Sequence, residues 1–282
     1  MFGEPRSLGW RTDLIFAGFD GEVEPRADHL VIRTPHNPTF WWGNFLLFDH
    51  APGPSDAAVW RARFAAEIAA RQPESQHETF GIDSEAGFAL PAEFAAAGFT
   101  LFASTVLSMR REQLRAPPKT PDPAAYRIAA LDLPRQAAAA IDVQVAADAG
   151  ESESEPQYRL FRERQMRRYA AMARAGRGDW FGVFARDAGG GEVLVADCGL
   201  FCTPDRSLGR FQHVSTHPAW RRRGLCSALV HAVCRHGFER MALETLVIVA
   251  DPLDVAIGLY ESIGFRRGSS TWHLEKRAPR TA

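Results

Sequence analysis

No run of this sequence reaches the ~20 consecutive apolar residues that an α-helix needs to cross a bilayer. The first 20 residues carry acids, Pro and Gly where a secretory leader would have a basic start and an apolar core. A cytoplasmic location is expected, with no membrane partner. Charge of one sign is also missing: 33 Lys and Arg face 34 Asp and Glu, a net charge of −1. No global field therefore recruits nucleic acid or an anionic surface. Cysteine is scarce. The four present, Cys198, Cys202, Cys226 and Cys234, show neither Cys-x-x-Cys nor zinc-type His spacing. They read as reduced thiols, with core packing expected for Cys226 and Cys234 and no metal site.

What is present suits a sizeable folded protein: 282 residues, 46% of them hydrophobic, are enough for one large domain or two modest ones. The chain is punctuated at residues 117–123, where four prolines in seven residues can continue neither a helix nor a central strand. Two lobes are expected, 1–116 and 124–282, joined by that extended linker.

Within the second lobe, residues 214–229 couple a strand, a turn and a helix start. Residues 211–216 favour β-structure and Pro218 stops the ladder. From Leu225 an apolar stripe at helical spacing runs through Ala228, Leu229, Ala232 and Val233. Residues 221–227 thus form a helix N-terminus, where the first backbone N–H groups lack intrahelical acceptors and the helix dipole favours an anion. Gly224 lets the backbone approach closely, since no Cβ intervenes. Arg221, Arg222 and Arg223 add charged donors. On these residues alone, a diphosphate cradle and a solvated, arginine-rich helix start are both open.

The surrounding order extends the pattern. The cradle strand, Arg221-x-x-Gly224-x-Cys226, a helix, the apolar strand 245–249, a helix ending in Leu259-Tyr260 and then Gly264-Phe265 resemble the GNAT superfamily of acyl-CoA-dependent N-acyltransferases over residues 123–276. Two departures are that Cys226 replaces the usual Gly or Ala, and Leu253 stands where many members carry Asn. The resemblance implies an α/β (α+β) fold, a mixed twisted sheet with helices on both faces. Its elements would be a strand at 126–128, helices at 134–145 and 157–175, a hairpin at 180–185 and 193–201, the cradle strand, the strand at 245–249, a helix at 255–263 and a closing pair near Phe265 and 271–274.

The resemblance further implies acetyl-CoA (coenzyme A) as cofactor. The backbone of Val214 to Thr216 would pair with the pantetheine arm, and Arg221, Arg222, Arg223, Gly224, Leu225, Cys226 and Ser227 would hold the pyrophosphate. Tyr260 would be the general acid for the coenzyme A thiolate. For the base, many members carry Glu or Asp near positions 212 and 213, whereas this chain has Gln212 and His213. An imidazole with an ordinary pKa of ~6.5 suits base work. Strand alternation, however, puts His213 on the face opposite Gln212, Val214 and Thr216 unless a bulge intervenes. His217, a bound water or an acid from the front lobe are the alternatives.

Shifted by 166 residues, the chain aligns on itself without a gap, residues 45–109 on 211–275, with 11 of 65 positions identical. The matches include a strand end (Phe45 on Phe211), a turn proline (Pro52 on Pro218), a strand (Glu78, Thr79 and Ile82 on Glu244, Thr245 and Ile248) and the pair after a helix (Gly98-Phe99 on Gly264-Phe265). This placement predicts an internal repeat, a degenerate GNAT-like lobe in front. Opposite Arg221 to Gly224 stand Ser55, Asp56, Ala57 and Ala58, so the cations are gone. Asp56 is expected to cap its own helix and to repel a phosphate. Opposite Tyr260 stands Phe94, which has no proton to give.

Three other features have two readings each. Phe40, Trp41, Trp42 and Phe45 suit packing, while Trp42 and Asn44 are the candidates for acceptor binding. Arg159, Arg162, Arg164, Arg167 and Arg168 suit a solvated helix face or ion pairs between lobes better than a nucleic-acid footprint. The acidic segment 149–156 suits a solvated loop or an attractor for a cationic amine. The function expected is an acetyl-CoA-dependent N-acetyltransferase working by direct transfer in a ternary complex, with a small-molecule or peptide amine as acceptor. A module that binds acyl-CoA or a partner protein without turnover is the alternative, and the oligomeric state, a homodimer included, is open.

Overall fold

The backbone divides inside two strands, not at the proline-rich segment. In the computed structural model, which describes residues 2–148, 155–187 and 189–277, one unit comprises Met1–Val106 with Gly268–Ala282 and the other Leu107–Arg267. A cut at 117–123 would leave residues 268–276 in the wrong unit, because they complete the front sheet.

The first unit opens with α1 (Leu8–Asp20), whose N-cap Ser7 accepts the Gly9 N–H at 3.1 Å. Then follow β1 (Glu22–Pro25), β2 (His29–Arg33), β3 (Phe45–Phe48), α2 (Asp56–Phe64) continued by a π-turn, β4 (Glu78–Ile82), α3 (Ala92–Ala96) and β5 (Thr100–Arg110). Its core is aromatic: Phe48 stacks on Trp60 at 3.6 Å, and Phe64 and Phe94 meet Phe80 edge-on. Asp56 does not cap α2 as expected. Ser55 is the N-cap residue, and the Asp56 carboxylate turns back to accept the Gly53 N–H at 2.7 Å.

The second unit adds β6 (Tyr126–Ala130), α4 (Ala137–Asp148), α5 (Glu155–Arg174), β7 (Gly178–Arg186), β8 (Glu192–Cys202), β9 (Leu208–Thr216), α6 (Leu225–Glu239), β10 (Thr245–Ala250), α7 (Ala256–Ser262) and β11 (Arg266–Lys276). The closing pair expected near Phe265 and 271–274 is instead this single strand. Side chains alternate across β7: Trp180 stacks on Tyr169 of α5, while Phe181 packs beside His236 of α6. Helices therefore cover both faces. Trp180, Phe181, Cys198, Cys202 and Cys234 are all buried, and Cys226 is half-buried.

Strand order is β1-β2-β3-β4-β11-β5 in the first unit and β5-β10-β9-β8-β7-β6 in the second. Strand directions are mixed in both units: β3 with β4 and β9 with β10 pair parallel, whereas β1 with β2, β2 with β3, β4 with β11, β6 with β7, β7 with β8 and β8 with β9 pair antiparallel. The 166-residue shift carries β3, α2, β4, α3 and β5 onto β9, α6, β10, α7 and β11, and for the last pair the two spans coincide end to end.

Candidate functional site

β9 and β10 run parallel only from Leu208 with Thr245 to Arg210 with Val247. Beyond that register the two strands continue to Thr216 and Ala250 without pairing, so the sheet splays. On its other side β9 stays paired with β8, but the register slips: Gln212 faces Gly199 and Ser215 faces Asp197, leaving His213 and Val214 opposite Cys198 alone. This is a β-bulge, and His213 takes a φ of +40° to make it. Simple alternation therefore does not decide which way His213 points. Its imidazole is half-buried, Nε2 has no hydrogen-bond partner, and burial, aided by the charge of Arg162, holds the ring well below its usual pKa.

The turn after β9 prepares a row of free donors. His217 accepts the Ala219 N–H at 3.3 Å and caps the short 3₁₀ turn Pro218–Trp220. Arg222 and Gly224 then adopt left-handed conformations, φ +62° and +80°. Leu225 begins α6 with no side-chain cap. Among the described residues no acceptor receives the N–H groups of Arg222 to Ser227, the first protected amide being Ala228, which donates to the Gly224 carbonyl at 3.0 Å. Alternating left-handed residues at a helix start turn successive N–H groups toward one point, an anion-binding concavity.

The arginine side chains differ. Arg221 donates to the carbonyls of Thr216 and Ala147, Arg223 folds over the Trp220 ring at 4.6 Å, and Arg222 extends into solvent. Lys119, from the proline-rich segment, donates Nζ to the Arg222 carbonyl at 3.1 Å. A further cation thus lies at this turn, and a lone Lys 103 residues upstream gave no sequence signal of it.

Tyr260 of α7 is buried, 5% exposed, and its phenol is pushed well above the usual range by burial first and then by Cys226, Asp254 and Cys198. Cys226 is pushed up to about 11 by burial, with the Thr216 hydroxyl opposing. It remains a neutral thiol, so the departure from Gly or Ala brings no negative charge to the turn. Leu253 is almost fully exposed.

On the α4 and α5 face lies a buried polar cluster that sequence reading missed. Asp197 of β8 is fully buried and receives Trp180 Nε1 at 2.8 Å, Gln144 Nε2 at 2.6 Å and the Ser215 hydroxyl. Burial pushes its carboxyl up to about 6 against these donors and the Arg162 charge. Gln144 in turn accepts Arg162 Nε at 2.6 Å. Tyr169 donates its hydroxyl to Gln212 at 3.3 Å. Arg162 and Arg168 are 4% and 5% exposed, so the α5 arginines do not form one solvated face. The signals were an acid inside an apolar strand, and an Arg in register with the buried Met166, Tyr169 and Ala170.

Of the two acceptor candidates in the front unit, Asn44 is fully engaged. Asn44 is fully buried: Oδ1 accepts from Thr34 N–H and Gln72 Nε2, and Nδ2 donates to the carbonyls of Asn37 and Phe40. Nothing is left for a ligand, and Asn44 is a structural residue. Trp42 packs among Trp10, Phe45, Phe102 and His273. Of the acidic segment 149–156, residues 149–154 lie outside the described residues. Among those described, no helix is long and apolar enough to cross a membrane and no group of three or more His, Cys, Asp or Glu is placed to hold a metal.

A family model described as an acetyltransferase (GNAT) domain matches residues 179–267. No curated protein matches the sequence. Among solved structures, a conserved Staphylococcus epidermidis protein of unknown function is similar over 93% of this chain and 95% of its own, with TM-score 0.72 and 13% identity. A GCN5-related N-acetyltransferase from Kribbella flavida is similar over 97% and 98%, with TM-score 0.61 and 17% identity. A tandem GNAT protein from the clavulanic acid biosynthesis pathway is similar over 84% and 76%, with TM-score 0.51 and 15% identity. At these identities the likeness is one of fold. The acetyltransferase (GNAT) domain matched at residues 179–267 spans β7 to α7 and holds the splayed strands and the uncapped helix α6.

Proposed function

We propose that the second unit binds acetyl-CoA and transfers its acetyl group directly to a primary amine, and that the front unit is a degenerate GNAT-like lobe without that activity. The observation that carries this reading is the unsatisfied row of N–H groups from Arg222 to Ser227, beside strands that part after Arg210 and Val247. A diphosphate fits those donors, and an extended amide-bearing arm fits the unpaired edge of β9 at Val214 and Thr216. Arg221, Arg222 and Arg223 add positive charge at the turn.

When bound, acetyl-CoA supplies a thioester carbonyl open to attack by an amine, with sulfur as the leaving atom. The Tyr260 phenol keeps its proton at Oη throughout the neutral range and donates it to a thiolate. His213 stays neutral and offers the lone pair of its unpartnered Nε2 to the proton released by the amine. Peptide N–H groups of the bulged stretch are the donors available to polarise the carbonyl. In the front unit Asp56 stands where the cations would be and Phe94 where the phenol would be, which supports a non-catalytic role there.

Tyr260→Phe is the test. Thiol release with a panel of amines should fall at least tenfold, while the coenzyme A dissociation constant, measured by calorimetry, stays within about twofold. An unchanged rate removes Tyr260 from the chemistry. Absence of heat with coenzyme A removes the whole reading, and heat without thiol release from any amine leaves a binding module.

A further inference from the structure

Arg162 carries an unmet demand. Its side chain is 4% exposed, its Nε is held by the neutral Gln144 amide, and its Nη2 is buried with no partner. Among the described residues no carboxylate pairs with it. Asp197, the nearest acid in the chain of contacts, spends its oxygens on Gln144, Trp180 and Ser215. Taking a guanidinium out of water is unfavourable unless a counter-charge or a full set of acceptors replaces the solvent. Here one terminal nitrogen has neither. His213, whose pKa the Arg162 charge helps to depress, also leaves a buried nitrogen unpartnered.

We propose that Arg162 binds a carboxylate on the acceptor, so that the amine substrate is an amino acid or another amino-carboxylate, with Gln144 and Asp197 as positioning residues. This rests on the acetyltransferase reading above. A carboxylate at Nη2 completes a charge-assisted hydrogen bond to a buried cation. The amine of the same molecule, a few bonds away, meets the free imidazole nitrogen. One free buried nitrogen suits a single negative charge, whereas a phosphoryl dianion would need more donors than the cluster leaves open. Asp197 fixes Gln144 and Gln144 fixes the guanidinium plane, so neither touches the substrate.

The test uses the full chain with saturating acetyl-CoA and two probe series, free amino acids and the same amino acids as C-terminal amides, read by thiol release. At least one acid should exceed its amide tenfold or more in kcat/KM, with the difference carried by KM. Arg162→Gln should abolish that preference while leaving coenzyme A affinity within about twofold, and Arg162→Lys, which keeps the charge, should retain part of it. Equal rates for acid and amide, faster turnover of amides, or turnover of neither series overturns the carboxylate assignment. Coenzyme A calorimetry run alongside separates the failures: heat with no acid preference sinks the carboxylate alone, and no heat sinks the acetyltransferase reading with it. If Arg162→Gln does not fold, the acid-to-amide ratio of the unaltered protein decides.

Discussion

Asp197 shows how one buried side chain couples the site to stability. Its carboxyl is raised from 3.8 to about 6, so between those values the folded state binds the proton that the unfolded chain has released. The favourable contribution is complete below pH 4 and is lost as pH rises through 6. A shift of this size is worth about 3 kcal/mol as an order of magnitude. Asp197→Asn removes the titration. The stability of the native chain minus that of the variant, from urea midpoints, should therefore decline from pH 4 to pH 6.5 and then level off; a flat difference would contradict the buried assignment. Residues of this kind were hard to read in advance. Tyr260 and the arginine turn sit in spaced motifs, whereas Asp197 and Arg162 matter through burial, and an Arg on an apolar stripe looks the same in sequence whether its head reaches water or not. Asn44 erred the other way: beside a Gly in an aromatic run it has the look of a ligand contact, but its amide is consumed by five local partners.

At the scale of the element, α6 was legible because two signals agreed: an apolar stripe at i, i+4 and a glycine at its head. The bulge in β9 was not, since nothing in Gln212-His213-Val214 marks the extra residue. Gly224 tests the turn that links these elements. At φ +80° any L-residue is strained by about 1–3 kcal/mol. An added Cβ would also lie 3.1 Å from the Lys119 carbonyl, tighter than the proline-rich segment accommodates without shifting. Gly224→Val should weaken coenzyme A binding at least tenfold in calorimetry while far-UV circular dichroism stays unchanged, because the distortion falls on the free donors and not on the helix behind them. Retained affinity would mean that the anion is held elsewhere.

For the whole molecule, the order of elements in the second half followed from the family resemblance and that of the front half only from the 166-residue repeat, while the division between halves followed from neither. Prolines mark where the chain cannot be regular, not where contacts stop, and the strand β11 crosses back to the first unit. There Trp272 to Lys276 pair with Ile82 to Glu78, and Leu274 is fully buried in the cluster of Phe48, Trp60 and Phe80. A fragment of residues 1–116 should therefore lack a cooperative thermal transition, since it exposes the edge of β4 and loses about 2 kcal/mol for Leu274 alone. Attaching residues 266–277 through a flexible tether should restore the transition in circular dichroism; a sharp melt without them would refute the exchange. The same arrangement orders events at the ribosome. The front half of this polypeptide is synthesised before the second yet stays one strand short until residues 268–276 emerge, after every element of the second unit. Throughout that interval its aromatic interior is open to chaperones and to neighbouring nascent chains.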